Sequence, residues 1–141
     1  MILLPPELRF ALRANDIKRR SADMKGERFD PVPVLKLFNP LGAATWLATE
    51  LSDDDDTLFG LADLGFGCPE LGPFSLSEIA SVRLPHGLRM ERDIAFEGRF
   101  ALPVWAAWSR RAGSIIHGQA LLRPMPKGQE IRPPPDASGN G

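Results

Sequence analysis

Residues 44–65 read ATWLATELSDDDDTLFGLADLG, two runs of apolar, aromatic and β-branched residues on either side of four consecutive aspartates. Runs of this kind bounded by polar turn formers read as strands. Segments 44–51 and 57–65 are therefore expected to pair antiparallel, with SDDDD turning the chain back. If Glu50 lies opposite Phe59, each step along one strand matches a step back on the other, which sets Ala48 opposite Leu61 and Trp46 opposite Asp63. One face of the hairpin would then carry Trp46, Ala48, Glu50, Phe59, Leu61 and Asp63.

Upstream, VLKLF (34–38) is joined to this hairpin by the turn-forming set NPLG and reads as a further antiparallel strand. Asp30-Pro31 and Val32-Pro33 keep the preceding chain extended, because a proline disfavours helix at the residue before it. LPPELRFALRAN opens with prolines suited to a first helical turn and spaces Leu8, Ala11, Leu12 and Asn15 on one face, so a short helix ending near Asn15 is expected. The next stretch, IKRRSADMKGERFD, has no clear period and reads as a solvated connector.

Downstream, LGFGCPELG reads as an irregular turn, with Gly65 and Gly67 visiting positive φ and Cys68 a buried or half-buried small side chain. FSLSEIASVRLP offers Ser75 or Ser77 as the cap of a short helix stopped by Pro85. LRMERDIAF (88–96) alternates and reads as another strand, whereas ALPVWAAWSRRAGSI restores helical spacing and closes with Arg110 and Arg111 before Gly113. The expectation is an α+β fold: an antiparallel sheet of about four strands packed by N-terminal and C-terminal helices. A single domain over 1–122 and a flexible Pro/Gly-rich tail over 123–141 complete it.

Composition narrows the chemistry. One cysteine and two histidines leave no basis for a disulfide or a transition-metal site, and no cofactor is implied. No apolar run approaches the ~20 residues of a membrane helix, which points to a cytoplasmic protein without a membrane span. Residues 1–49 carry a net charge of +3, residues 50–78 carry −8 and residues 79–141 carry +4. Such a chain either pairs its flanks with its middle internally, or shows a dipolar surface to a basic partner or another copy of itself.

Each candidate site has an ordinary reading beside it. Asp53, Asp54, Asp55 and Asp56 lack the alternating spacing of a calcium loop and read as a solvated hairpin loop. In LGFGCPELG, Glu70 stands where a dinucleotide fingerprint needs its third glycine, and its carboxylate would repel phosphate. Glu50, Asp63, Lys36 and Arg92 are the only set resembling a catalytic charge cluster, and strand-bridging ion pairs explain them as well. No catalytic residue is assigned. A small hydrolase using Glu50, Asp63 or Glu70 stays an alternative. Lys18, Arg19, Arg20 and Lys25 form the one basic cluster available for phosphate contact, so a nucleic-acid-associated factor is another. Trp46 is either an exposed contact anchor among the carboxylates or a core residue, and core is the usual place for a large aromatic in a strand of a small domain.

The succession PVPVLKLFNPLGAATWLATEL, LFGLADLGFGCPELGPFSLSEI and LRMERDIAF resembles a family of small bacterial proteins of unknown function carried on plasmids and integrated mobile elements. The similarity runs from about Leu4 to Ile115 and rests on Lys36-Leu37-Phe38, Trp46, Glu50, Asp63-Leu64-Gly65, Pro69-Glu70-Leu71-Gly72 and Glu91-Arg92-Asp93 in one order. Cys68 and Pro73-Phe74 depart from the family pattern, which carries phenylalanine at the first and tyrosine and valine at the second. The resemblance implies a compact α+β domain and a setting among conjugation, maintenance or anti-defence genes, but no activity. The expected function is a non-catalytic accessory protein acting on an unknown protein partner or by self-association, through Trp46, Glu50, Asp53 to Asp56, Asp63 and Glu70. Inhibition of a host defence system is a narrower version of the same idea.

Overall fold

A computed structural model describes residues 2–127 and 131–135. Five antiparallel strands form one sheet: β1 (Leu35–Phe38), β2 (Thr45–Leu51), β3 (Thr57–Asp63), β4 (Glu70–Ser75) and β5 (Glu91–Arg92), in the order β4-β3-β2-β1-β5. Helix α1 (Pro6–Lys25) and the short α2 (Leu76–Ser81) pack on one face, and α3 (Leu102–Ala112) with α4 (Ile115–Leu122) on the other. The fold is α+β, as expected, with five strands rather than four.

The extra strand is ELGPFS, which pairs with β3 along its length from Thr57 opposite Ser75 to Ala62 opposite Glu70. Gly72 and Pro73 hide it in the sequence, since a proline cannot donate to a ladder and argues against a central strand. β4 is the sheet edge, so the proline is tolerated there and blunts the edge against further pairing. At the opposite edge, the expected strand over 88–96 shortens to Glu91 and Arg92, paired with Phe38 and Leu37.

The central hairpin keeps Glu50 opposite Phe59, but a bulge between Ala48 and Glu50 shifts the rest by one residue. Ala48 then faces Gly60, Trp46 faces Ala62 and Thr45 faces Asp63. A one-residue slip moves every later side chain to the other face of the sheet. Trp46 and Asp63 therefore do not share a face. Gly60 accommodates the bulge: a Cβ there would lie 1.8 Å from the Leu47 carbonyl oxygen.

α1 runs ten residues past the expected end at Asn15, because IKRRSADMK continues the helix with a polar inner face that shows no apolar period. It stops at Gly26, whose φ of 67° allows the Schellman closure in which the Glu27 N–H donates to the Ala22 carbonyl at 2.8 Å. Leu12 of the helix packs in one core with Leu35, Leu37, Trp46, Ala48, Leu51 and Leu58 of the sheet. The opposite face buries Leu47 and Leu61 under Phe100, Val104, Trp105, Trp108, Ile115 and Leu122.

α3 ends at Gly113 as anticipated, and Ser114 then caps α4 by accepting the His117 N–H at 3.1 Å. The two helices approach closely at Gly118, where a Cβ would lie 2.8 Å from the Ser109 Cα. Of the tail expected to be flexible from Arg123, residues 128–130 and 136–141 lie outside the described residues. Within the described part, Ile131 packs on the α3–α4 core and its carbonyl accepts the Trp108 indole N–H at 3.0 Å.

Candidate functional site

The acidic hairpin is the most conspicuous charge feature, and each of its four aspartates has a separate partner. Asp53 faces Arg20 of α1 at 3.7 Å, and Asp55, at φ 61°, meets Arg9 of the same helix at 2.7 Å. Asp54 closes the loop on itself, accepting from the Thr57 hydroxyl at 2.6 Å and from the N–H groups of Thr57 and Asp56. Its carboxyl falls to about 2 from the ordinary 3.8, chiefly through the Thr57 hydroxyl. Asp56 reaches across to α2, accepting from the Ser75 hydroxyl and the Ser77 N–H at 2.7 Å each, and the Ser75 bond is the main reason its pKa is lowered. Ser75 in turn caps α2 by accepting the Glu78 N–H. Two of the four aspartates, Asp53 and Asp55, thus pair with arginines of the N-terminal helix, and the other two are held by the loop itself and by α2.

Glu50 and Asp63 are similarly committed. Glu50 is buried and takes two bonds of 3.2 Å from the Arg19 guanidinium and one of 3.1 Å from the Thr49 hydroxyl. This contact holds the Arg19 pKa above its usual value, and Arg19 also lies 5.3 Å from the Phe29 ring centroid. Asp63 is fully buried, and one carboxylate oxygen accepts the Gly65 N–H while the other accepts the Ile115 N–H at the start of α4, both at 2.9 Å. A buried carboxylate held by backbone N–H groups at a helix start orders the turn after β3 and docks α4.

Lys36 bridges to Asp93 at 3.4 Å and to the Gln119 side chain at 2.7 Å, beside a cleft of about 250 Å³ lined by Phe96, Arg99, Trp105 and Leu122 among others. The Arg99 guanidinium binds the carbonyls of Leu122, Arg123 and Met125 at the end of α4. The Arg92 side chain binds the Ile2 carbonyl. Of the four residues that resemble a catalytic cluster in sequence, Glu50 lies at α1 and Asp63 at α4, while Lys36 and Arg92 stand together with Asp93 around one hollow at the β1–β5 edge, away from both carboxylates.

Glu70 is exposed on β4 and borders a shallow hollow with Ala62, Leu64, Phe66 and Cys68. Gly65 and Gly67 do take positive φ, at 93° and 85°, but Cys68 is exposed rather than buried. The turn projects its side chains outward instead of folding them under β4. Trp46 lies in the core beneath α1 at 7% exposure. Among the described residues, no group of three or more His, Cys, Asp or Glu side chains could hold a metal ion.

In the basic cluster, Arg19 and Arg20 already carry carboxylate partners, while Lys18 and Lys25 are exposed. Between those lysines and the paired arginines runs a feature that reading the inner face of α1 misses. Phe10, Ile17 and Met24 are 77%, 60% and 89% exposed and stand seven residues apart, so they line one outward face of the helix. The sequence signal is present, but it shows only once the helix is known to continue past Asn15.

A search of curated proteins and of solved structures finds no match to this chain. A family model described as "Protein of unknown function (DUF2958)" matches residues 3–116, which span the whole sheet, α1 to α3 and the start of α4. The chain belongs to that family.

Proposed function

We propose that this chain is a non-catalytic accessory protein, built as one α+β domain over residues 1–122, that acts by protein–protein contact through the outer face of α1. Its setting would be the mobile genetic element that the sequence resemblance implies. The observation that carries the reading is the alignment of Phe10, Ile17 and Met24 on that face at 77%, 60% and 89% exposure. A single exposed apolar side chain is ordinary, but three large ones aligned along one face of a helix that is otherwise well anchored are not. The carboxylates considered as contact residues offer less: Glu50 and Asp63 are buried, and Asp53 and Asp55 are engaged by α1.

The test is affinity capture from the source cells with the wild-type chain and with Ile17→Glu. Ile17 touches no core, so the variant is expected to melt within about 0.5 kcal/mol of wild type. A partner retained by the wild-type chain and lost by the variant supports the reading, and identical captures overturn it.

A further inference from the structure

The outer face of α1 carries more than apolar area. Phe10, Ala14, Ile17, Ser21 and Met24 follow one another at intervals of four, three, four and three residues. That is the seam spacing of a left-handed helix pair, in which side chains of one helix insert between four of the other. Large residues occupy one set of seam positions and the small Ala14 and Ser21 the other, so an approaching helix finds holes between the knobs. The seam from Phe10 to Met24 extends about 21 Å, long enough for two heptads of a partner.

Its flanks have one sign. Lys18 and Lys25 follow Ile17 and Met24 on one side, and Arg13 and Arg20 border the other. The arginines are anchored from beneath, Arg13 to Asp16 and the Leu51 carbonyl and Arg20 to Asp16 and Asp53, whereas Lys18 and Lys25 are exposed. A second copy of α1 laid on this seam in either direction brings cation against cation. Like charges at these positions discourage the pairing. A lipid surface fits poorly too, because exposed Glu7 lies in line with the small seam positions, where it would meet anionic headgroups.

We infer that the outer face of α1 docks a single α-helix of a partner protein, one whose apolar heptad seam is flanked by carboxylates. This rests on the reading of α1 as a protein contact and adds the shape and charge of what covers it. Apolar seam contacts supply the binding, and Lys18 and Lys25 select the acidic partner.

The experiment uses the full chain and two stapled helical peptides of about three heptads. They share a leucine seam, and one carries Glu at every flanking position while its twin carries Lys. Fluorescence anisotropy is expected to give the Glu peptide a Kd at least tenfold below that of the Lys twin, with the difference shrinking as salt rises. Ile17→Glu should abolish binding of both, and Lys18→Glu with Lys25→Glu should reverse the preference. Equal binding of the two peptides, no binding of the Glu peptide, or preference for the Lys twin overturns the inference. So does an Ile17-dependent dimer seen by sedimentation, or Ile17-dependent binding to phosphatidylserine vesicles in place of the Glu peptide. The two readings fail separately. If capture still depends on Ile17 while the peptides show no charge preference, only the acidic helix is wrong; if capture does not depend on Ile17, the contact itself is wrong.

Discussion

α1 and the α3–α4 pair cover opposite faces of the same sheet, yet they are held to it by different means. On the α3–α4 side, Trp105, Phe100, Val104 and Ile115 close over Leu47 and Leu61, and the Trp105 indole N–H donates to the Gly98 carbonyl at 2.7 Å. On the α1 side, Leu12 is the one fully buried large residue of the helix, and polar side chains do much of the attachment. Arg13 donates to the Leu51 carbonyl, Asn15 to the Thr49 carbonyl and Arg19 to Glu50. The bulge at Thr49 helps explain why: a β-bulge disrupts the ladder locally and frees backbone acceptors. A helix that meets such a strand gains by bringing donors. The charges of α1 are thereby divided, with arginines turned to the sheet and hairpin and lysines left for solvent.

The largest expected effect tests the aromatic side. Trp105→Ala should cost about 3 to 5 kcal/mol, since it removes a side chain 2% exposed, its contact with Phe96 and one of the two donors to the Gly98 carbonyl, which keeps the Phe100 N–H. Trp46→Ala, under α1, should also lower the melting temperature sharply but less than Trp105→Ala, because no hydrogen bond of its indole is lost with it. Chemical denaturation of both variants checks the ranking. Equal losses would mean that the two faces depend alike on one indole, and an unchanged melting temperature for Trp46→Ala would show that this side chain is not core.

The same division explains what could be read from sequence. The α3 segment announced itself because its inner face is apolar, and the hairpin because its strands are. α1 looks half its length in sequence because Asp16 and Arg19, two of its buried or half-buried residues, are charged: Asp16 pairs with Arg13 and Arg20 of the same helix, and Arg19 meets Glu50 31 positions away. Glu50 opposite Phe59 was legible, but the slip beyond it was not, since Gly60 signals a close backbone approach only when its neighbour across the strand is known. α4 was missed for a similar reason: Asp63, 52 positions upstream, supplies the acceptor for its first N–H. That Glu50 and Asp63 lie apart from each other and from the Lys36–Arg92 neighbourhood is a tertiary fact. The apolar seam was in the sequence throughout, concealed by the misjudged helix end.

A middle-sized effect probes the polar attachment of α1. The Arg19 side chain is 31% exposed and that of Glu50 7%, so the two partners have unequal access to water. Removing Glu50 leaves an arginine that can turn outward, whereas removing Arg19 leaves a carboxylate that cannot. Glu50→Ala is expected to cost about 1 to 2 kcal/mol and Arg19→Ala about 2 to 4 kcal/mol. Equilibrium denaturation of the single variants measures both. Equal small losses would place this pair with surface ion pairs and weaken the contrast between the two faces.

The smallest effect belongs to the hairpin loop that α1 grips. The Asp54 carboxyl stands at about 2 in place of 3.8, held down first by the Thr57 hydroxyl and then by the N–H groups of Thr57 and Asp56. A folded-state pKa below the unfolded one means that folding favours the charged form. The contribution is complete above about pH 4 and is lost as pH falls through about 2. Asp56 shifts the same way because the Ser75 hydroxyl and Ser77 N–H bind it, so acid should loosen the loop from α2 over the low end of the pH scale. Asp54→Asn is therefore expected to lower the melting temperature slightly at about pH 6, with the wild-type and variant curves converging toward about pH 2. The loop is solvent-exposed and screening keeps the gap small. Were the gap to persist unchanged into acid, the loss would come from altered loop geometry rather than from the charge of Asp54, and that carboxylate would contribute through the shape of the turn alone.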